Sequence, residues 1–155
     1  MEKTKHKKYM KIALQEARKA RDKKEVPIGA VVIKDEQLLA RAHNLRESRE
    51  LPTAHAELLA VNKAAEKLGS WRLENCTVYV TLEPCIMCSG VLLQARIEKL
   101  VYGADDPKSG AVKSLYNLLE DERLNHQIEV ISGVFAKKSR RMLKKFFADL
   151  RGNKK

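Results

Sequence analysis

Two short stretches hold the residues best suited to chemistry. "PTAHAE" at 52–57 places His55 and Glu57 two apart, and "PCIMC" at 84–88 places Cys85 and Cys88 in a C-x-x-C pair. Two thiolates at that spacing can reach one ion from the first turn of a helix. The unpaired N–H groups and positive dipole end of that turn favour the thiolate form. A redox dithiol is the competing reading, and a third ligand decides between them. With His55 the set becomes one imidazole and two thiolates. Three protein ligands and one open position are the arrangement of a catalytic rather than a structural zinc. Such an ion lowers the pKa of bound water towards neutrality, so a group is needed to move the proton. Glu57 is the candidate. Glu83, just before Pro84, is the alternative, although it also suits a carboxylate at a helix entry.

The other histidines and the third cysteine carry less. Three cysteines cannot all pair within one chain, and Cys76 begins an apolar strand as a small core residue. His6 and His126 have no partner motif and read as structural or surface groups. His43, before Asn44 at the end of a strand, is harder to dismiss.

The elements that must position these groups follow from periodicity. Met10, Ala13, Leu14 and Ala17 make a helical stripe with a basic outer face. Gly29 to Ile33 is a β-branched strand, Asp35 and Glu36 a turn, and Gln37 to Ala42 the returning strand of a hairpin. "RESRELP" reads as a polar loop. Ala54 to Leu68 is a helix stopped by Gly69. "CTVYVTL" is a buried strand, and Pro84 suits the first turn of a helix running to about Ala95. "KLVYGA" is a strand, "DDPKSG" a loop, and 113–120 a short helix. "QIEVIS" is the last strand, and 136–150 a final amphipathic helix. The fold class expected is α/β: a three-layer α/β/α arrangement around a mixed sheet of about five strands.

The chain has 155 residues, enough for a single domain over 1–155, with the basic termini 1–8 and 151–155 as its flexible ends. No apolar run approaches the roughly 20 residues needed to span a bilayer. The basic start has no apolar stretch behind it, so a cytoplasmic protein with no membrane partner is expected. Net charge is +11, from 31 Lys/Arg and 20 Asp/Glu. Residues 1–24 carry +7 and residues 137–155 carry +8, which leaves −4 for the middle. Basic ends alone favour solvated helix faces. If they meet in space they form a phosphate-binding surface.

H-x-E followed by P-C-x-x-C is the signature of zinc nucleobase deaminases. The flanking blocks "EVPIGAVV", "AHN", "GSWRL", "VYVTLEPCIMCSG", "VYGADDPKSG", "NHQIEV" and the terminal "FF" extend the likeness. From about residue 9 to 151 the chain resembles the bacterial tRNA-specific adenosine deaminases, within the cytidine/deoxycytidylate deaminase superfamily. That resemblance implies a cytidine-deaminase-like fold and a homodimer with one Zn2+ per subunit. It implies hydrolysis of adenosine to inosine at the wobble position of a tRNA anticodon stem-loop, chiefly of an arginine tRNA. His55, Cys85 and Cys88 match the family's zinc ligands. Glu57 matches its proton shuttle, with zinc-bound hydroxide attacking C6 of adenine. Asn44, Ile28 and Ala56 match positions around the flipped base. Asp105, Asp106 and Lys108 border the substrate strand, and Phe146 or Phe147 stacks on a neighbouring nucleotide.

Val112 and Lys113 depart from the family's small-residue run, and the "KTKHKK" start lies outside its pattern. Lys113 would add a phosphate contact or disturb a tight turn. Two other functions use the same residues. A free-base or nucleotide deaminase needs the zinc site without a polyanion surface, and the charged ends argue against it. A zinc-stabilised RNA-binding subunit with an idle site needs no working Glu57.

Overall fold

A computed structural model describes residues 2–152. The elements run α1 (Glu2–Asp22), β1 (Gly29–Lys34), β2 (Gln37–His43), α2 (Arg46–Arg49), α3 (Ala56–Leu68), β3 (Cys76–Leu82), α4 (Ile86–Gln94), β4 (Lys99–Ala104), β5 (Glu129–Ile131) and α5 (Ala136–Gly152). The sheet has five strands in the order β2-β1-β3-β4-β5. β1 is antiparallel to β2 and β3, while β3, β4 and β5 run parallel. The parallel β3–β4 pair needs a crossover, and α4 is that crossover.

Alternation along the strands sorts the sheet into two buried faces. Val32, Val78, Val80, Leu100 and Tyr102 face α3 and α4 together with Ala60, Ala64 and Leu92. Val31, Ile33, Tyr79 and Val101 face Tyr9, Met10 and Ala13 of α1, and Val134 and Phe135 pack against this second cluster. α5 lies on that same side, over β4. At Gly103 of β4, a Cβ would come 2.6 Å from the Thr81 carbonyl oxygen and 2.8 Å from Ser139 Oγ of α5. Glycine there lets α5 sit close. The result is the expected three-layer α/β/α arrangement with a mixed sheet. No helix among the described residues is long and apolar enough to cross a membrane.

Several local expectations are corrected. "RESRELP" contains the four-residue helix α2 instead of being a loop throughout. Pro84 stands before α4, which Cys85 opens as its N-cap. The Pro84 carbonyl instead accepts the Ala111 N–H at 2.9 Å. Residues 113–120 form turns, not a helix. The N–H groups of Lys113 and Ser114 donate to the Glu83 carboxylate, at 2.8 and 2.9 Å, and the Leu118 N–H reaches back to the Ala111 carbonyl at 3.1 Å instead of to the carbonyl four residues before it. Residues 2–8 are the first turns of α1, with His6 buried against the Tyr79 hydroxyl at 2.7 Å. Met1 and residues 153–155, part of the expected basic ends, lie outside the described residues.

Candidate active site

The site forms where two helices begin. His55 is the N-cap of α3 and Cys85 the N-cap of α4, both with extended backbone and neither using its side chain to cap. Each side chain is therefore free to point inward. Cys88 follows one turn into α4 and is fully buried. His55 Nδ1 lies 3.7 Å from Cys85 Sγ and 3.5 Å from Cys88 Sγ. The three donor atoms all fall within 4.8 Å of one another. Tetrahedral zinc, with Zn–S of about 2.3 Å and Zn–N of about 2.0 Å, sets nitrogen–sulfur separations of about 3.6 Å. The donor set fits a zinc ion in both chemistry and spacing.

The protonation of this cluster points the same way. Cys85 is held down to about 4, first by the hydrogen bond from Cys88 and then, against burial, by His55. Cys88 is pushed far up because it shares its hydrogen with Cys85, and because it is buried beside Glu57. His55 is raised by its hydrogen bond with Cys85. Cys85 is the more exposed thiol and ionises first. One thiolate and one thiol thus share a proton that a dication would displace. Two helix N-termini add positive potential at the thiolates.

Glu57 lies in the first turn of α3 and is only 4% exposed. Burial pushes its carboxyl up to about 7, with the Cys85 thiolate adding to the shift; its own backbone N–H and His55 oppose it. Glu83 is equally buried, at 2%, but is saturated with donors. It accepts N–H groups from Asp106 at 2.9 Å, Val112 at 3.1 Å, Lys113 at 2.8 Å and Ser114 at 2.9 Å, and also the Ser114 hydroxyl. Burial alone would raise its pKa, yet these bonds hold it below the usual carboxylate range. A Cβ at Gly110 would fall on this carboxylate, so the loop can wrap Glu83 only with glycine there. Glu83 fastens the 106–114 loop.

Above the donor cluster opens a cavity of about 1040 Å³. His55, Ala56, Glu57 and Cys85 line it, together with Ile28, Asn44, Asp105, Asp106 and Lys108. Phe147 lines it from α5, whereas Phe146 does not; the two rings meet edge to face at 5.4 Å. Asn44 is buried and already bonded: its amide donates to the Val26 carbonyl at 3.3 Å and accepts the Arg46 N–H at 3.0 Å. Asp105 accepts the Tyr102 hydroxyl at 2.6 Å, and Asp106 holds the Lys108 and Ser109 N–H groups at 3.1 and 3.2 Å.

Val112 is in the main core, and the Lys113 ammonium turns outward to Ser132 Oγ at 3.1 Å, so the turn is undisturbed. His43 is structural. Its Nδ1 donates to Glu16 at 2.8 Å and its Nε2 accepts from Lys23 at 3.0 Å, tying β2 to α1. His126 bonds the Ile97 carbonyl at 2.7 Å.

Residues not singled out from sequence also line the cavity: Arg46 from α2, and Arg140, Lys144 and Arg151 from α5. Their helical spacing and the charge of the C-terminal segment were the available signal. α2 is held by Glu25, which is buried and accepts the N–H groups of Glu47 (3.0 Å) and Ser48. No local pattern marks that contact, which spans more than twenty residues.

Comparison with known proteins agrees with this geometry. A family described as MafB19-like deaminase matches residues 4–151. The tRNA-specific adenosine deaminase of Bacillus subtilis (strain 168) is 54% identical over 147 residues, covering 95% of this chain and 91% of its own. That of Aquifex aeolicus (strain VF5) is 44% identical over 145 residues, covering 94% and 95%. A structure solved in studies of A-to-I editing by tRNA:A34 deaminases at the wobble position of transfer RNA superposes with a TM-score of 0.84 at 43% identity. It covers 87% of this chain and 98% of that one. Fold and site together define a hydrolase of the deaminase class, with a cytidine-deaminase-like fold. Within that class the chain belongs to the family of tRNA-specific adenosine deaminases.

Proposed function

We propose that this protein hydrolyses adenosine to inosine at the wobble position of a tRNA anticodon, in the cytoplasm, as one deaminase domain over residues 1–155. The observation that carries the reading is Glu57: a buried carboxyl beside the His55, Cys85 and Cys88 donors, in a cavity that basic side chains and Phe147 also line. The names of the relatives support tRNA as the substrate. An arginine tRNA and a homodimer follow from the family resemblance.

His55, Cys85 and Cys88 would hold one zinc ion per subunit. When bound, zinc supplies the Lewis acidity that makes water a nucleophile near neutral pH. Glu57 takes a proton from the attacking water and passes it to the adenine ring as the bond to C6 forms; it then moves the remaining proton from the new C6 hydroxyl to the amino group, which leaves as ammonia as the C6–N bond breaks. A carboxyl near 7 can both accept and donate at physiological pH, which general acid–base catalysis requires. Ala56, Ile28 and the Asn44 amide pack and orient the flipped base. Asp105, Asp106 and Lys108 shape the side of the cavity where the strand leaves. Of the two candidate phenylalanines, Phe147, which lines the cavity, offers a face for a neighbouring base.

The test is direct. Incubation with the anticodon stem-loop of an arginine tRNA, followed by sequencing, should give inosine at the wobble position and release ammonia in equal amount. Turnover of free purines with no inosine in the RNA would overturn the reading.

A further inference from the structure

Lys3, Lys7 and Lys11 recur every four residues and form one exposed row on α1. Like charges at that spacing destabilise a helix. α5 opens with Lys137 and Lys138 and has no acidic residue in its first turn, although a helix N-terminus favours anions. The two helices lie on the same side of the sheet, and their lysines converge. Lys7 Nζ is 5.9 Å and Lys138 Nζ 4.6 Å from the centroid of one ring, Phe135. Phe135 itself holds a left-handed φ of 57°, a conformation a bulky residue seldom adopts. Among the described residues, the ion pairs on these two helices leave Lys3, Lys7, Lys11, Lys137 and Lys138 without a carboxylate partner. Three unfavourable local choices, the lysine row of α1, the basic first turn of α5 and the left-handed Phe135, therefore surround one concentrated positive patch, and a polyanion partner accounts for them.

We propose that the basic patch on α1 and α5 around Phe135 binds phosphates of the RNA that flanks the nucleotides held in the cavity. This rests on the tRNA reading above. The patch runs on to the cavity along α5: Arg140 and Lys144, three and seven residues after Lys137 and so on its face of the helix, line the cavity. An extended phosphate backbone matches such a track of unpaired cations, and binding would release condensed counterions. The patch adds affinity for RNA beyond the anticodon loop and takes no part in the chemical step.

The experiment compares the wild-type protein with a variant carrying Lys3→Gln, Lys7→Gln, Lys11→Gln and Lys138→Gln. Affinities are measured for whole tRNA and for a hairpin cut to the anticodon loop and its closing pairs, across a salt series. The variant should lose roughly tenfold or more in affinity for whole tRNA at low salt, with the slope of log K against log salt shallower by about 3. Its affinity for the short hairpin and its single-turnover rate at saturating RNA should stay unchanged, and a Lys→Arg version should recover the lost affinity. Its Tm should stay close to wild type, since the repulsion relieved along α1 offsets the lost contacts of Lys7 and Lys138 with the Phe135 ring. Unchanged tRNA affinity, or an equal loss on both RNAs, would overturn the proposal. So would retained tRNA binding with lost binding to phosphatidylserine vesicles, which would assign the patch to a membrane surface. Failure of the wild type to form inosine would count against the wobble reading alone, because the affinity comparison needs no turnover.

Discussion

Glu57 and Glu83 are both buried glutamates beside the start of a helix, and both line the same cavity. Their surroundings are opposite. Glu57 sits in the first turn of α3 next to the donor cluster, with its ionisation governed by burial, and its carboxyl rises to about 7. Glu83 is wrapped by the N–H groups of Asp106, Val112, Lys113 and Ser114 and stays ionised. Burial is common to both, so burial does not assign the role. The supply of donors does. A carboxylate with its lone pairs taken is a fastener, and one left undersupplied can move a proton.

The contrast predicts a graded set of effects. The largest should come from the donor cluster beside Glu57. Dialysis against a chelator, or His55→Ala, should abolish measurable deamination. Added zinc should restore the chelated wild type and not the variant, as read by activity and metal content together.

Next comes Glu83→Gln. It replaces an ion held by several charge-assisted bonds with an amide that presents N–H groups to N–H groups. Roughly 2–4 kcal/mol of stability should be lost, readable as a lower Tm, because a buried polar group loses its partners. Below the unfolding temperature its kcat should remain within about tenfold of wild type. A larger fall in kcat with Tm unchanged would move the proton to Glu83 and break the comparison.

The smallest effect belongs to Glu16, a second fastening carboxylate that sharpens the rule. It is 3% exposed and bonded to Arg41, Lys19 and His43, and despite burial those bonds lower its carboxyl to about 2. A depressed pKa stabilises the fold above the ordinary glutamate value of 4.5, and that contribution fades as pH falls towards 2. Glu16→Gln should therefore destabilise the protein at pH 7 and converge with wild type in acid, as read by denaturant unfolding at each pH.

How much of this was legible in the chain depends on the reach of each interaction. The donors were legible because H-x-E and C-x-x-C are local patterns, and helix starts place local residues predictably. The strands and their alternation were legible for the same reason. The function of Glu83 was not, because its donors arrive from 106–114, more than twenty residues later. The helix expected at 113–120 fails on another pairing no local pattern marks: the Leu118 N–H bonds the Ala111 carbonyl, not the carbonyl one helical turn back. α2 escaped notice because Glu25, distant in sequence, satisfies its first turn. Phe146 and Phe147 are neighbours about 100° apart on a helix. Only the seating of α5 against Gly103 turns Phe147 towards the cavity. The basic ends were visible as composition. Their division was not: α5 reaches the cavity rim, and no residue of α1 lines it.

The most direct measurement sets Glu57→Gln beside Glu83→Gln on the same anticodon stem-loop, in single turnover at saturating enzyme, with zinc content determined on each sample. Glu57→Gln should retain its metal and its fold while the rate of inosine formation falls by about 10²–10⁴. Glu83→Gln should keep most of its rate at a temperature where it is folded. Near-normal inosine formation by metal-loaded Glu57→Gln would contradict the account.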